Sequence, residues 1–117
     1  MKLISTGRGE TIQGVVSLMK EHGISQLPVL DKNGSLEGLI SERDLLAALI
    51  DERATPQTEV DSFITNNFAL VEVSNRTSLV SELLAQGKVV VVEKRGKVMG
   101  ILTNIDFIDW FSSRLRP

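Results

Sequence analysis

Two segments of the chain carry the same few polar groups in the same order. One is Gly38-Leu39-Ile40-Ser41-Glu42-Arg43-Asp44, the other Gly100-Ile101-Leu102-Thr103-Asn104-Ile105-Asp106. A hydroxyl followed three residues later by an acid, at the start of a helix, has two uses. As a cap, the hydroxyl accepts from a freed backbone N–H and the acid favours the positive end of the helix. As a ligand site, the freed N–H groups and the hydroxyl receive an anion, while the aspartate accepts from both vicinal hydroxyls of a ribose. The glycine lets a planar base approach the strand backbone closely. Either segment therefore suits a sugar with a phosphate, or a sugar with another polar tail.

The elements that position these groups are themselves repeated. Gln26 to Leu49 aligns with Lys88 to Phe111 without a gap at an offset of 62 residues: Val29 with Val91, Lys32 with Lys94, Gly34 with Gly96, Gly38 with Gly100 and Asp44 with Asp106. Each copy reads as strand, turn, strand, helix: Leu27 to Leu30 and Leu36 to Ile40 in the first, Val89 to Val92 and Val98 to Leu102 in the second. The turns, Asp31-Lys32-Asn33-Gly34 and Glu93-Lys94-Arg95-Gly96, end on glycine, which supplies φ > 0 at low cost. A helix precedes each hairpin, marked by Ile12, Val15, Val16 and Met19 on one face and by Leu79, Val80, Leu83 and Leu84 on the other copy's. Phe68 to Val73 reads as a strand opening the second copy; the first has only Leu3-Ile4 there. The second copy is shorter inside, with a deletion where the first carries Gly23-Ile24-Ser25. These readings place a first repeat at 1–50, a linker at 51–58 (polar, with one proline) and a second repeat at 59–117.

Composition narrows the function. The formal net charge is −2, which argues against a duplex-DNA binder. The absence of cysteine excludes disulfides, thiolate nucleophiles and Cys-based zinc sites, and is compatible with a cytoplasmic location. No apolar run approaches the length of about 18 residues needed to span a membrane. The single histidine, His22, sits in Lys20-Glu21-His22-Gly23 and reads as a helix end rather than a catalytic base. No acids cluster at metal-ligand spacing, so no metal and no catalytic residue is assigned, and the chain reads as a non-enzyme.

Gln26-Leu27-Pro28-Val29-Leu30-Asp31, Gly34 and the two Gly-x-x-Ser/Thr-x-x-Asp segments together resemble the CBS-domain family. Thr11-Ile12, with Glu10 before it, fits the family's helix opening. The resemblance runs from about Leu3 to Phe111. It implies an α/β (α+β) fold of tandem β-α-β-β-α repeats with small sheets packed by helices, a pair often associating into a disc-like dimer, and adenosyl ligands (S-adenosylmethionine, AMP or ATP) in the clefts. Lys97 to Phe107 and the shortened second helix are similar to the C-terminal regulatory region of cystathionine β-synthase-like enzymes. That similarity implies control of an attached catalytic domain such as a pyridoxal-phosphate enzyme. The chain has no room for such a domain, and reads as a fragment or a free-standing pair.

The resemblance also implies which residues share a cleft. Thr103 and Asp106, with Ile24, Ser25 and Gln26 and with Met99 and Ile101 over the base, form the better site. Ser41 and Asp44, with Leu39, Gln86, Gly87 and Lys88, form the second. There Glu37 replaces Met99, so that Lys88 favours a phosphate and Glu37 opposes it, or else Glu37 is solvated. The apolar residues of the terminal helices (Leu45, Leu46, Leu49, Phe107, Ile108, Trp110 and Phe111) exceed what one small core needs, and self-association into a homodimer is the expected use of the excess. The competing reading is a structural dimerisation module with vacant clefts, in which Ser/Thr-x-x-Asp only caps helices.

Overall fold

A computed structural model describes residues 3–73, 77–86 and 88–102. It divides into two compact units, with the boundary between Asn66 and Asn67. The first holds α1 (Ile12–His22), β1 (Gln26–Leu30), β2 (Leu36–Ser41), α2 (Glu42–Ile50) and a short 3-10 turn at Val60–Phe63. The second holds β3 (Ala69–Glu72), α3 (Thr77–Ala85), β4 (Val90–Lys94) and β5 (Lys97–Leu102). The mixed α/β character expected from the sequence is the observed one.

In the first unit α1 forms because its apolar stripe has a core to enter: Ile12, Val15 and Met19 are buried, while Val16 stays 40% exposed. Thr11 caps its start by accepting from the Gly14 N–H at 3.1 Å. It stops at Gly23, whose left-handed φ of 63° lets its N–H return to the Met19 carbonyl. His22 thus closes a helix, as its sequence position suggests. Leu27, Val29, Ile40 and Leu45 complete the core with α1 and Val60. Of the large apolar residues of α2, Leu45 is buried and Leu49 packs on the core, whereas Leu46 and Ile50 point outward, 55% and 69% exposed.

Val60 belongs to the second repeat by sequence count, yet it packs in the first unit's core with no exposed surface. The polar stretch before it is not a passive connector. The Ile12 N–H donates to the Thr58 carbonyl and the Gln13 N–H to the Pro56 carbonyl, both at 2.9 Å. With Thr11, these carbonyls satisfy the freed donors of the α1 start. The repeat boundary and the boundary of the compact unit are therefore different places in the chain.

The second unit repeats the plan. β3 pairs in parallel with β4, and β4 antiparallel with β5. In the first unit Thr6 alone takes the place of β3, bridging Val29 in parallel. Val71, Leu84 and Val90 form the second core, with Val80, Leu83, Val92 and Leu102 against it. Both hairpins carry a bulge, at Glu37 opposite Val29/Leu30 and at Met99 opposite Val92/Glu93.

The ladders correct the gap-free alignment. Gly38 pairs with Val29 and Gly100 with Val92, so the second strands correspond at an offset of 62 but the first strands at 63. Val29 therefore corresponds to Val92 rather than Val91. The missing residue lies in the turn. Arg95 and Gly96, at φ 53° and 79°, make a two-residue turn of type I′ between Lys94 and Lys97. The first copy needs a longer turn, held by Asp31 accepting from the Asn33 and Ser35 N–H groups.

Candidate functional site

The end of the first hairpin brings together residues that the sequence assigned to two different clefts. Gln26 pairs with Ser41 in the β1–β2 ladder. One residue earlier, the Ser25 carbonyl accepts from the Glu42 N–H at 2.9 Å. Ile24 donates its N–H to the Met19 carbonyl at the end of α1. Ile24, Ser25 and Gln26 thus lie directly against the start of α2, where Ser41 and Asp44 stand.

Ser41 is the N-cap of α2: its Oγ accepts from the Asp44 N–H at 3.1 Å. The two donors flanking the first turn, Glu42 N–H and Asp44 N–H, are thereby both satisfied within the chain. Asp44 is exposed. The geometry at Ser41 is that of a cap. A sugar-binding role stays open to the Asp44 carboxylate, which capping does not consume.

Leu39 is 2% exposed, and its backbone pairs with Thr65. The approach to Gly38 that the sequence reserves for a planar base is filled by the chain itself: a Cβ added there would lie 2.5 Å from Ile64 Cγ2 and 2.7 Å from the Thr65 carbonyl oxygen. At Gly100 no described atom lies within 4 Å of such a Cβ.

Glu37 is neither free nor simply solvated. The Arg8 Nε donates to its carboxylate at 2.6 Å, and the Arg8 guanidinium reaches Asp61 at 3.9 Å. Asp61 in turn accepts from the Gly9 N–H at 2.8 Å. Both partners of the Arg8–Glu37 pair are partly exposed, so its net contribution is small. Arg8, Asp61, Ile64 and Thr65 are the neighbours that sequence reasoning missed. Arg8 stands 29 residues from Glu37, and Gly9 stands 52 from Asp61. No periodicity marks contacts at such separations.

In the second unit Met99 is 53% exposed on its bulge, and Ile101 is half-buried opposite Val91. Gln86 and Lys88 are exposed, their N–H groups closing the end of α3 on the Leu83 carbonyl. Gly87, Thr103, Asp106 and the helix expected after Thr103, with Phe107, Ile108, Trp110 and Phe111, lie outside the described residues. A groove of about 410 Å³ separates α1 from the start of α2, lined by Val16, Met19, Lys20, Gly23, Ile24, Ser25 and Glu42. Among the described residues no group of acids or histidines is placed to hold a metal ion, and no helix is long and apolar enough to cross a membrane.

The first hairpin and its capped helix agree with the comparison of the sequence with known families, in which residues 2–51 match the CBS domain. The chain carries a CBS domain. Relatives and solved structures named for their CBS domains match nearly the whole chain, in keeping with a tandem CBS pair. A CBS domain-containing protein of Dictyostelium discoideum is 26% identical over 92% of this chain and 83% of its own length. Cystathionine beta-synthase of Oryctolagus cuniculus is 21% identical over 91% of this chain, which spans only 22% of that enzyme. Among solved structures, a CBS-domain containing protein of Agrobacterium tumefaciens superposes with a TM-score of 0.81 at 25% identity, covering 94% of this chain and 90% of that one. The CBS domain pair of protein MJ0100, solved with 5′-methylthioadenosine and S-adenosyl-L-methionine, gives a TM-score of 0.81 at 21% identity, covering 97% and 91%. CBS pairs are in general regulatory, ligand-binding modules, and this chain shares their fold.

Proposed function

We propose that the chain is a regulatory module that binds an adenosyl ligand, S-adenosylmethionine, AMP or ATP, and controls a partner or an attached domain without catalysing a reaction itself. The observation that carries this reading is the strand-to-helix junction of the first CBS repeat. There Asp44 stays exposed and uncommitted beside Ser41, at the position that suits a ribose. The MJ0100 pair, which holds two adenosyl compounds on the same fold, supports the ligand class. The full set of ligand residues proposed is that named from the resemblance. Asp44 and Asp106 take the ribose hydroxyls, and the Thr103/Asp106 set binds more tightly. A homodimer, a cytoplasmic location and repeats at 1–50 and 59–117 belong to the same proposal, as does a pyridoxal-phosphate enzyme as one kind of attached domain.

Parallel calorimetric titrations and a thermal-shift screen with S-adenosylmethionine, AMP and ATP test it. A ligand at about 100 times its Kd is expected to stabilise the fold by about 2.7 kcal/mol. The absence of any shift with every adenosyl compound would overturn the reading in favour of a structural dimerisation module. The cap geometry at Ser41 is the observation on which that second reading rests.

A further inference from the structure

The segment from Glu59 to Thr65 touches three parts of the first unit, each by its own backbone or side chain. At its start, Glu59 bridges Thr11 and the Val60 N–H donates to the Glu10 carbonyl at 2.9 Å. In its middle, Asp61 holds the Gly9 N–H and faces Arg8, which holds Glu37 on β2. At its end, Leu39 and Thr65 exchange two hydrogen bonds, at 2.8 and 2.9 Å, and Ile64 covers Gly38. The chain then passes through Asn66 into the second unit.

The last of these contacts is the weakest kind of sheet. It is one isolated bridge, with Leu39 buried but Thr65 and the following Asn66 exposed, and a two-bond bridge with an exposed side opens at lower cost than the continuous ladder and core. It also lies on Leu39, between Glu37 and Ser41, on the strand that delivers Asp44. We propose that Glu59–Thr65 is a strap that reports occupancy of the first-repeat site: ligand bound at Leu39 to Asp44 holds the strap closed on β2, and an empty site lets it open. This inference rests on the adenosyl reading of that site. The coupling is reciprocal by linkage. A ligand that binds only when β2 is held in place by Ile64, Thr65 and the Arg8 clasp must stabilise that closed form, and loosening the strap must weaken the ligand.

Amide hydrogen exchange on the full chain tests it, together with titration of 5′-methylthioadenosine. With the ligand saturating, the Leu39 and Thr65 amides are expected to exchange about tenfold more slowly, the scale of a modest coupling. Asp61→Ala removes the clasp while touching none of the proposed ligand residues. It is expected to speed exchange at Thr65 about tenfold and to weaken ligand binding by a similar factor. Asp44→Ala, which removes the ribose acceptor, assigns the binding event to this site. Binding that Asp44→Ala abolishes, with Thr65 exchange indifferent to ligand, would overturn the strap while leaving the adenosyl reading intact. The strap is likewise overturned if Asp61→Ala speeds exchange without weakening the ligand. Failure of the compound to bind, or binding that survives Asp44→Ala, would overturn the reading of this site and the strap with it.

Discussion

The Ser41 hydroxyl oxygen lies 3.1 Å from the Asp44 amide nitrogen, so the two residues that the motif offers to a ligand are already joined as a helix cap. Their roles separate by substitution. Ser41→Ala is expected to cost about 1 kcal/mol of stability, the usual value of an N-cap, and to change adenosyl affinity little. Asp44→Ala is expected to leave stability nearly unchanged and to cost about 1.5–3 kcal/mol of binding, the scale of hydrogen bonds to a charged group. Denaturant titration and calorimetry on both variants read the two effects. Equal losses of affinity would return the hydroxyl to the ligand.

Gly38 and Gly100 occupy the same place in the two hairpins but face different surroundings. Gly38→Ala drives a methyl group into Ile64 and the Thr65 carbonyl and is expected to cost about 1–3 kcal/mol. Gly100→Ala meets no described atom and is expected to stay within about 0.5 kcal/mol of the parent. Urea midpoints of the two variants decide it, and equal midpoints would contradict the close approach at Gly38.

Val60 is fully buried in the first core although it follows the second helix of that repeat. Val60→Ala is expected to destabilise the first unit by about 1–3 kcal/mol through lost burial and the cavity left behind. Because Thr58 and Pro56 hold the start of α1 from the same segment, exchange at the Ile12 and Gln13 amides should rise with it. Exchange confined to residues 58–62 would show that the segment is not part of that cooperative unit.

Leu46 and Ile50 form an outward stripe one turn apart on α2. If the chain is a homodimer through its helices, Leu46→Asp and Ile50→Asp should lower the mass seen by light scattering toward that of the 12.9 kDa chain without loss of helix content. A parent chain that is already monomeric at high concentration would dispose of this surface.

Much of the architecture was legible because it is written in local patterns. The 3.6-residue stripe of Ile12, Val15 and Met19, the glycine-ended turns and the Ser41 cap each need only a short window of sequence. The strand register was not, because a gap-free alignment absorbs a missing turn residue without penalty, and only the ladders match Val29 of the first copy to Val92 of the second. The surroundings of the site were least legible. Arg8 on Glu37 and Gly9 on Asp61 are distant pairs of common residue types. The groups that hold the start of α1 are the carbonyls of Pro56 and Thr58, and a carbonyl looks the same in every residue.

The placement of Val60 also sets an order of events during synthesis. The chain leaves the ribosome from its N-terminus, and α1, both strands of the first hairpin and α2 all emerge before Pro56, Thr58 and Val60 do. Until those residues arrive, the start of α1 lacks two of its acceptors and the core lacks one of its walls. The first half is therefore finished by chain that a count of repeats would give to the linker and the second repeat, and a nascent chain halted at the end of the first repeat is held one segment short of its fold.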